Sequence, residues 1–135
     1  MNRKDLLFVT SRFNASKVGD HFINPCCFGE DLAAWLQTKL KDKGVDASSP
    51  GQEDWGWYLS AQYEGTGYFL GMNVNEADEP RNADDGEWRI MVEKKRSFGQ
   101  WIKREGLITK DDAMLGLIQR IVQAESAFTD VHIED

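Results

Sequence analysis

The chain has 135 residues, 41% of them hydrophobic and five of them tryptophan. That size suits one domain with a real hydrophobic core, and the apolar content excludes a disordered chain. The formal charge is −7, from 23 acidic against 16 basic residues. With a pI near 4.8, this balance excludes non-specific nucleic-acid binding and argues against docking on an anionic membrane surface.

From the N-terminus, Leu6-Leu7-Phe8-Val9 is too short for a signal-peptide core, and no apolar run approaches the ~20 residues of a membrane span. A cytoplasmic protein is expected. Residues 6–13 read as a first strand with apolar residues of both parities, so both of its faces can be buried. A polar connector, 14–24, leads to Pro25 and the adjacent Cys26 and Cys27. Two neighbouring cysteines do not make a secreted disulfide framework, and two reduced thiols are expected. Residues 29–43 form a helix: Leu32, Trp35, Leu36 and Leu40 make its apolar stripe, Glu30 and Asp31 sit at its positive end, and Gly44 terminates it.

A short strand at 45–48 and a Ser49-Pro50-Gly51 turn precede the tryptophan-rich segment 53–63. There Trp55, Trp57, Leu59, Ala61 and Tyr63 alternate with Gly56, Tyr58, Ser60 and Gln62. This is the period-two signature of a strand with one aromatic face and one smaller, wetter face. Glu64-Gly65-Thr66-Gly67 closes a hairpin, and Tyr68, Leu70, Met72 and Val74 alternate along the next strand. Residues 75–87 are a loop carrying Glu76, Asp78, Glu79, Asp84, Asp85 and Glu87. Trp88, Ile90 and Val92 mark a further strand. Ser97 caps a short helix that Gly106 stops. Thr109-Lys110-Asp111-Asp112 resembles a capping box at the head of a helix reaching about residue 128, with Met114, Leu117, Ile118, Ile121 and Val122 on its stripe. Residues 129–135 are a frayed end or an added edge strand. The expected fold is a single α+β domain over 1–135: two layers, with an antiparallel sheet of four to five strands packed on the helices. The element order resembles that of TATA-binding-protein-like and helix-grip folds, which implies nothing about function.

Several groups of residues bear on chemistry. Glu53 and Asp54 are paired carboxylates at the mouth of the tryptophan strand; against Trp55 and Trp57 one of them could act as a general acid or base. The plain alternative is a polar strand entry. His21, Cys26 and Cys27 include soft ligand types, but adjacent cysteines rarely reach one metal and no second ligand pair occurs, so no metal site is expected. The smaller sheet face, with Tyr58, Gln62, Phe69, Asn73, Arg89 and Met91 beside Gly56, Ser60 and Gly71, can cradle a ligand or a partner's loop. Its plain alternative is a solvated face. Lys94-Lys95-Arg96 with Lys103 and Arg104 is a basic patch suited to an acidic peptide or phosphate, or simply a solvated strand end. The acidic loop suits a basic partner, or serves solubility. No phosphate-binding glycine loop occurs, and no cofactor is expected.

The blocks Asn24-Pro25-Cys26-Cys27-Phe28-Gly29-Glu30-Asp31 and Pro50-Gly51-Gln52-Glu53-Asp54-Trp55-Gly56-Trp57 resemble segments of small uncharacterised bacterial proteins. The resemblance covers roughly the first half of the chain. It implies a bacterial cytoplasmic origin and carries over no activity and no catalytic residue. The reading that fits best is a non-enzymatic binding protein with a protein or small-ligand partner, an immunity-type inhibitor of a basic toxin being one form of it. A small enzyme using Glu53 or Asp54, and a homodimer formed through the sheet, are the alternatives.

Overall fold

The computed structural model describes residues 2–13, 28–75 and 86–134. His21, Cys26, Cys27 and the acidic residues Glu76, Asp78, Glu79, Asp84 and Asp85 lie outside them. Seven strands and three helices follow in the order β1 (Arg3–Thr10), α1 (Glu30–Asp42), β2 (Asp46–Ala47), β3 (Gly51–Glu53), β4 (Gly56–Tyr63), β5 (Thr66–Asn75), β6 (Gly86–Lys94), α2 (Phe98–Lys103), α3 (Ala113–Gln123) and β7 (Thr129–Glu134). The strands form one antiparallel sheet in the order β2-β4-β5-β6-β1-β7, with β3 also paired to β4. The class is therefore mixed α+β, as the sequence predicts.

The strand count is higher than the expected four to five, for identifiable reasons. The tryptophan segment is two strands, because Asp54 and Trp55 form the turn between β3 and β4. The tail is a true strand, β7, which adds to the outer edge of β1. The last helix stops at Gln123, sooner than expected, and Phe128 turns back into the core just before β7.

The core forms because one parity of each long strand is apolar. The registers line Trp57, Met72, Ile90, Leu6 and Ile133 into one row across five strands, with Leu59, Leu70 and Val92 in the row beside it. Leu32, Ala33, Leu36 and Leu40 of α1 and Met114, Leu115, Leu117, Ile118, Ile121 and Val122 of α3 are buried in the same cluster. Phe13 joins it, edge-on to Trp35 and Trp88. Helix α3 is anchored by Asp112, whose Oδ2 accepts hydrogen bonds from the backbone N–H groups of Met114 and Leu115. Its Oδ1 accepts one from the Tyr68 hydroxyl and lies 3.3 Å from Lys94 Nζ. An N-cap aspartate with all its acceptors engaged is a structural joint between helix and sheet. Helix α2 differs from the expected packing layer: none of its residues is buried.

Candidate binding face of the sheet

The opposite parity of the same strands builds the second face. Its registers place Ser60, Phe69, Glu93 and Arg3 in one row, Tyr58, Gly71, Met91, Asp5 and Glu134 in the next, and Asn73, Arg89, Leu7 and His132 in a third. A cavity of about 670 Å³ opens on this face, lined by Arg3, Glu53, Trp55, Phe69, Asn73, Arg89, Met91 and Glu93.

Trp55 overturns the face assignment made from alternation. It shares a parity with Trp57, yet it lies on the opposite side of the sheet, edge-on to Phe69 at 6.2 Å. The turn at Asp54–Trp55 interrupts the count. Two glycines allow the arrangement. Gly56 leaves the turn at φ +157°, and a Cβ there would lie 2.2 Å from the carbonyl oxygen of Met72. Gly71 leaves the sheet floor bare, so the Trp55 indole rests where a Cβ would meet it at 2.7 Å. Trp57 meanwhile points into the core beside Met72. Trp55 and Trp57 therefore do not wall one pocket, and Asp54 is not part of the cavity lining; of that constellation only Glu53 and Trp55 reach the cavity.

Four of the six face residues singled out from sequence come together in the lining: Phe69, Asn73, Arg89 and Met91. Tyr58 supports them from beside, stacked on Phe69 at 5.3 Å. Gln62 sits farther along β4 opposite Gly67, exposed and outside the cavity. Arg3, Glu93 and the buried Asp5 are further members of this face, beyond the six expected. The parity Asp5 shares with Leu7 is the available signal, and it is lost when the strand is taken to begin at Leu6, whereas β1 begins at Arg3.

The charges on this face are unequally committed. Arg89 NH1 donates to Asp5 Oδ2 in a very short contact. The same guanidinium grips both oxygens of Glu134, at 3.0 and 3.3 Å. These bonds, that to Glu134 first, outweigh burial and hold the Arg89 guanidinium above its ordinary pKa, while Arg89 holds the Glu134 carboxyl below its own. Arg3 Nε lies 3.2 Å from Asp5 Oδ1. Among the described residues, Glu53 and Glu93 have no such cation, and the buried Oδ1 of Asn73 accepts no hydrogen bond. The cavity thus presents an aromatic and thioether floor, two guanidiniums tied to carboxylates, and a set of uncommitted acceptors.

A second, smaller hollow of about 390 Å³, lined by residues including Tyr63, Glu64, Lys110, Asp112 and Arg120, lies at the head of α3. Its one buried carboxylate, Asp112, is consumed by the helix cap. Among the described residues no group of three or more His, Cys, Asp or Glu side chains could hold a metal ion, and no helix is long and apolar enough to cross a membrane. No family model, curated protein or solved structure matches the chain.

Proposed function

We propose that this is a non-enzymatic binding protein whose site is the cavity on the open sheet face, and that its occupant is a cationic group on a flat apolar body. A basic side chain on a loop of a partner protein has that chemistry, and so does a small aryl amidine. The observation that carries the reading is the imbalance in the lining: Glu53, Glu93 and Asn73 Oδ1 are uncommitted acceptors beside Trp55, Phe69 and Met91, while Arg89 is held by Asp5 and Glu134. A buried acceptor without a donor costs free energy that a ligand N–H can recover. A cation over an aromatic ring gains more as the site is desolvated. A partner that is a basic toxin, with this chain as its inhibitor, falls within the proposal.

The enzyme alternative draws less support. Glu53 lines the cavity without Asp54, and among the described residues the lining contains no histidine, cysteine, serine or lysine to share proton or nucleophile duty.

The test compares benzamidine with its neutral isostere benzamide and with benzoate, by chemical-shift mapping of Trp55 and the strands around it. Benzamidine should bind, the other two should not, and Glu53→Gln combined with Glu93→Gln should abolish the response while the fold persists. Equal binding of benzamide, or preference for benzoate, refutes the proposal.

A further inference from the structure

Helix α2 buries none of its residues, yet it is held in a defined conformation. The Ser97 hydroxyl accepts from the Gln100 N–H at 3.2 Å, and the Gln100 side chain accepts from the Ser97 N–H at 3.0 Å, a complete capping box. Arg104 closes the C-terminus in the left-handed conformation. Both feet of the segment are pinned by one side chain from the other end of the chain. Asn2 Nδ2 donates to the carbonyls of Lys94 and Gly106, each at 3.0 Å, and Asn2 Oδ1 accepts from the Ile108 N–H at 2.8 Å.

What this segment displays is apolar. Phe98 is 75% exposed, Trp101 61%, Ile102 59% and Leu107 54%, and Phe98 stacks on Trp101 at 6.1 Å. Along the chain they are interspersed with Lys95, Arg96, Lys103 and Arg104, and Glu105 is the only acid between Lys94 and Leu107. The overall charge of −7 conceals this local cationic excess. Folding explains neither the exposure of four large apolar side chains nor the bonds that hold them outward.

We propose that α2 and Leu107 form a tip that inserts into the interfacial region of an anionic lipid bilayer. Two features favour this occupant. Phe, Trp, Ile and Leu interspersed with Lys and Arg is the composition of an interfacial helix, the aromatics resting at the acyl boundary and the cations reaching the headgroups. At physiological salt, charges more than about 8 Å away are largely screened, so the cations on the tip act before the acids on the rest of the surface. This site is separate from the sheet cavity and stands or falls independently of it: no residue from Lys95 to Leu107 lines that cavity.

The test is co-sedimentation of the full chain with vesicles of phosphatidylcholine alone and of equal parts phosphatidylcholine and phosphatidylserine. The wild type should sediment with the anionic vesicles only, and added salt should release it. Trp101→Ala and Phe98→Ala should each weaken partitioning at least tenfold. Lys95→Gln and Lys103→Gln should each weaken it about fivefold, the equivalent of about 1 kcal/mol per cation near an anionic surface. All four positions are exposed, so melting temperatures should match the wild type and separate lost binding from lost folding. Wild-type protein that remains in the supernatant with both vesicles overturns the proposal and leaves a protein as the occupant of α2. Equal sedimentation of the wild type and the Trp101 and Phe98 variants overturns it as well.

Discussion

Trp55 and Trp57 are two residues apart and have opposite roles, so truncating each is a direct test of the strand break between them. Trp57 is 5% exposed, on the core side of β4. Trp57→Ala should cost about 3–5 kcal/mol, the range for emptying a large aromatic site that cannot collapse. Trp55 is 38% exposed and rests on the sheet over Gly71 and beside Phe69. Scaling the loss to its buried part, and allowing water to refill the open cavity, gives about 2 kcal/mol for Trp55→Ala. Urea titration followed by far-ultraviolet circular dichroism reads both. With a slope of about 2 kcal/mol per molar, the midpoint should fall by about 2 M for Trp57→Ala and about 1 M for Trp55→Ala. A loss under about 1 kcal/mol at Trp57, or equal losses at the two sites, would refute the assignment of the two indoles to opposite faces.

The joint between helix α3 and the sheet makes two further predictions. Asp112→Ala removes the cap, strands the Tyr68 hydroxyl and leaves Lys94 without its carboxylate, and should cost about 2–4 kcal/mol; Asp112→Asn keeps capping ability and should cost visibly less in the same denaturant titration. The Tyr68 hydroxyl is held well above its ordinary value of 10.0, first by burial, then by the charge and hydrogen bond of Asp112. The unfolded chain therefore gives up this proton first. The associated stability is complete below pH 10 and drains away as pH rises above it. Wild-type stability should fall more steeply above pH 10 than that of Tyr68→Phe, and parallel curves would remove Tyr68 from the account.

The sequence shows those parts of the fold that repeat locally. The stripe Leu32, Leu36 and Leu40 and the alternations Leu59-Ala61, Tyr68-Leu70-Met72 and Trp88-Ile90-Val92 are all buried as their periods require. Those periods also brought Phe69, Asn73, Arg89 and Met91 onto one face. What escaped was set by single breaks or by distant partners. A two-residue turn reverses the facing of Trp55, and only Gly56 marks it in the sequence. Strand β7 takes its place from pairing with β1 more than a hundred residues earlier. Arg3 and Asp5 carry no local sign of their network, because Arg89 and Glu134, which complete it, lie far along the chain. Asn2 carries no local sign that it holds the feet of α2.

A charge total is a poor guide to what each surface of this molecule offers, because uncommitted groups are what a partner would meet. On the sheet face the cation Arg89 is paired, and the cavity presents a set of acceptors despite having two arginines in its lining. On α2 the reverse holds: cations are interspersed with the apolar residues of the tip on a chain whose sum is −7. The two surfaces diverge at the end of β6, where Glu93 turns toward the cavity while Lys94, one residue on, lies on the other side beside Asp112. Alternation along one strand thus sends neighbouring residues of opposite sign to different surfaces. Salt should accordingly weaken occupation of both sites, by screening the acceptors of one and the cations of the other. Truncating Phe98 or Trp101 should leave benzamidine binding in the cavity unchanged, because no α2 side chain reaches its lining.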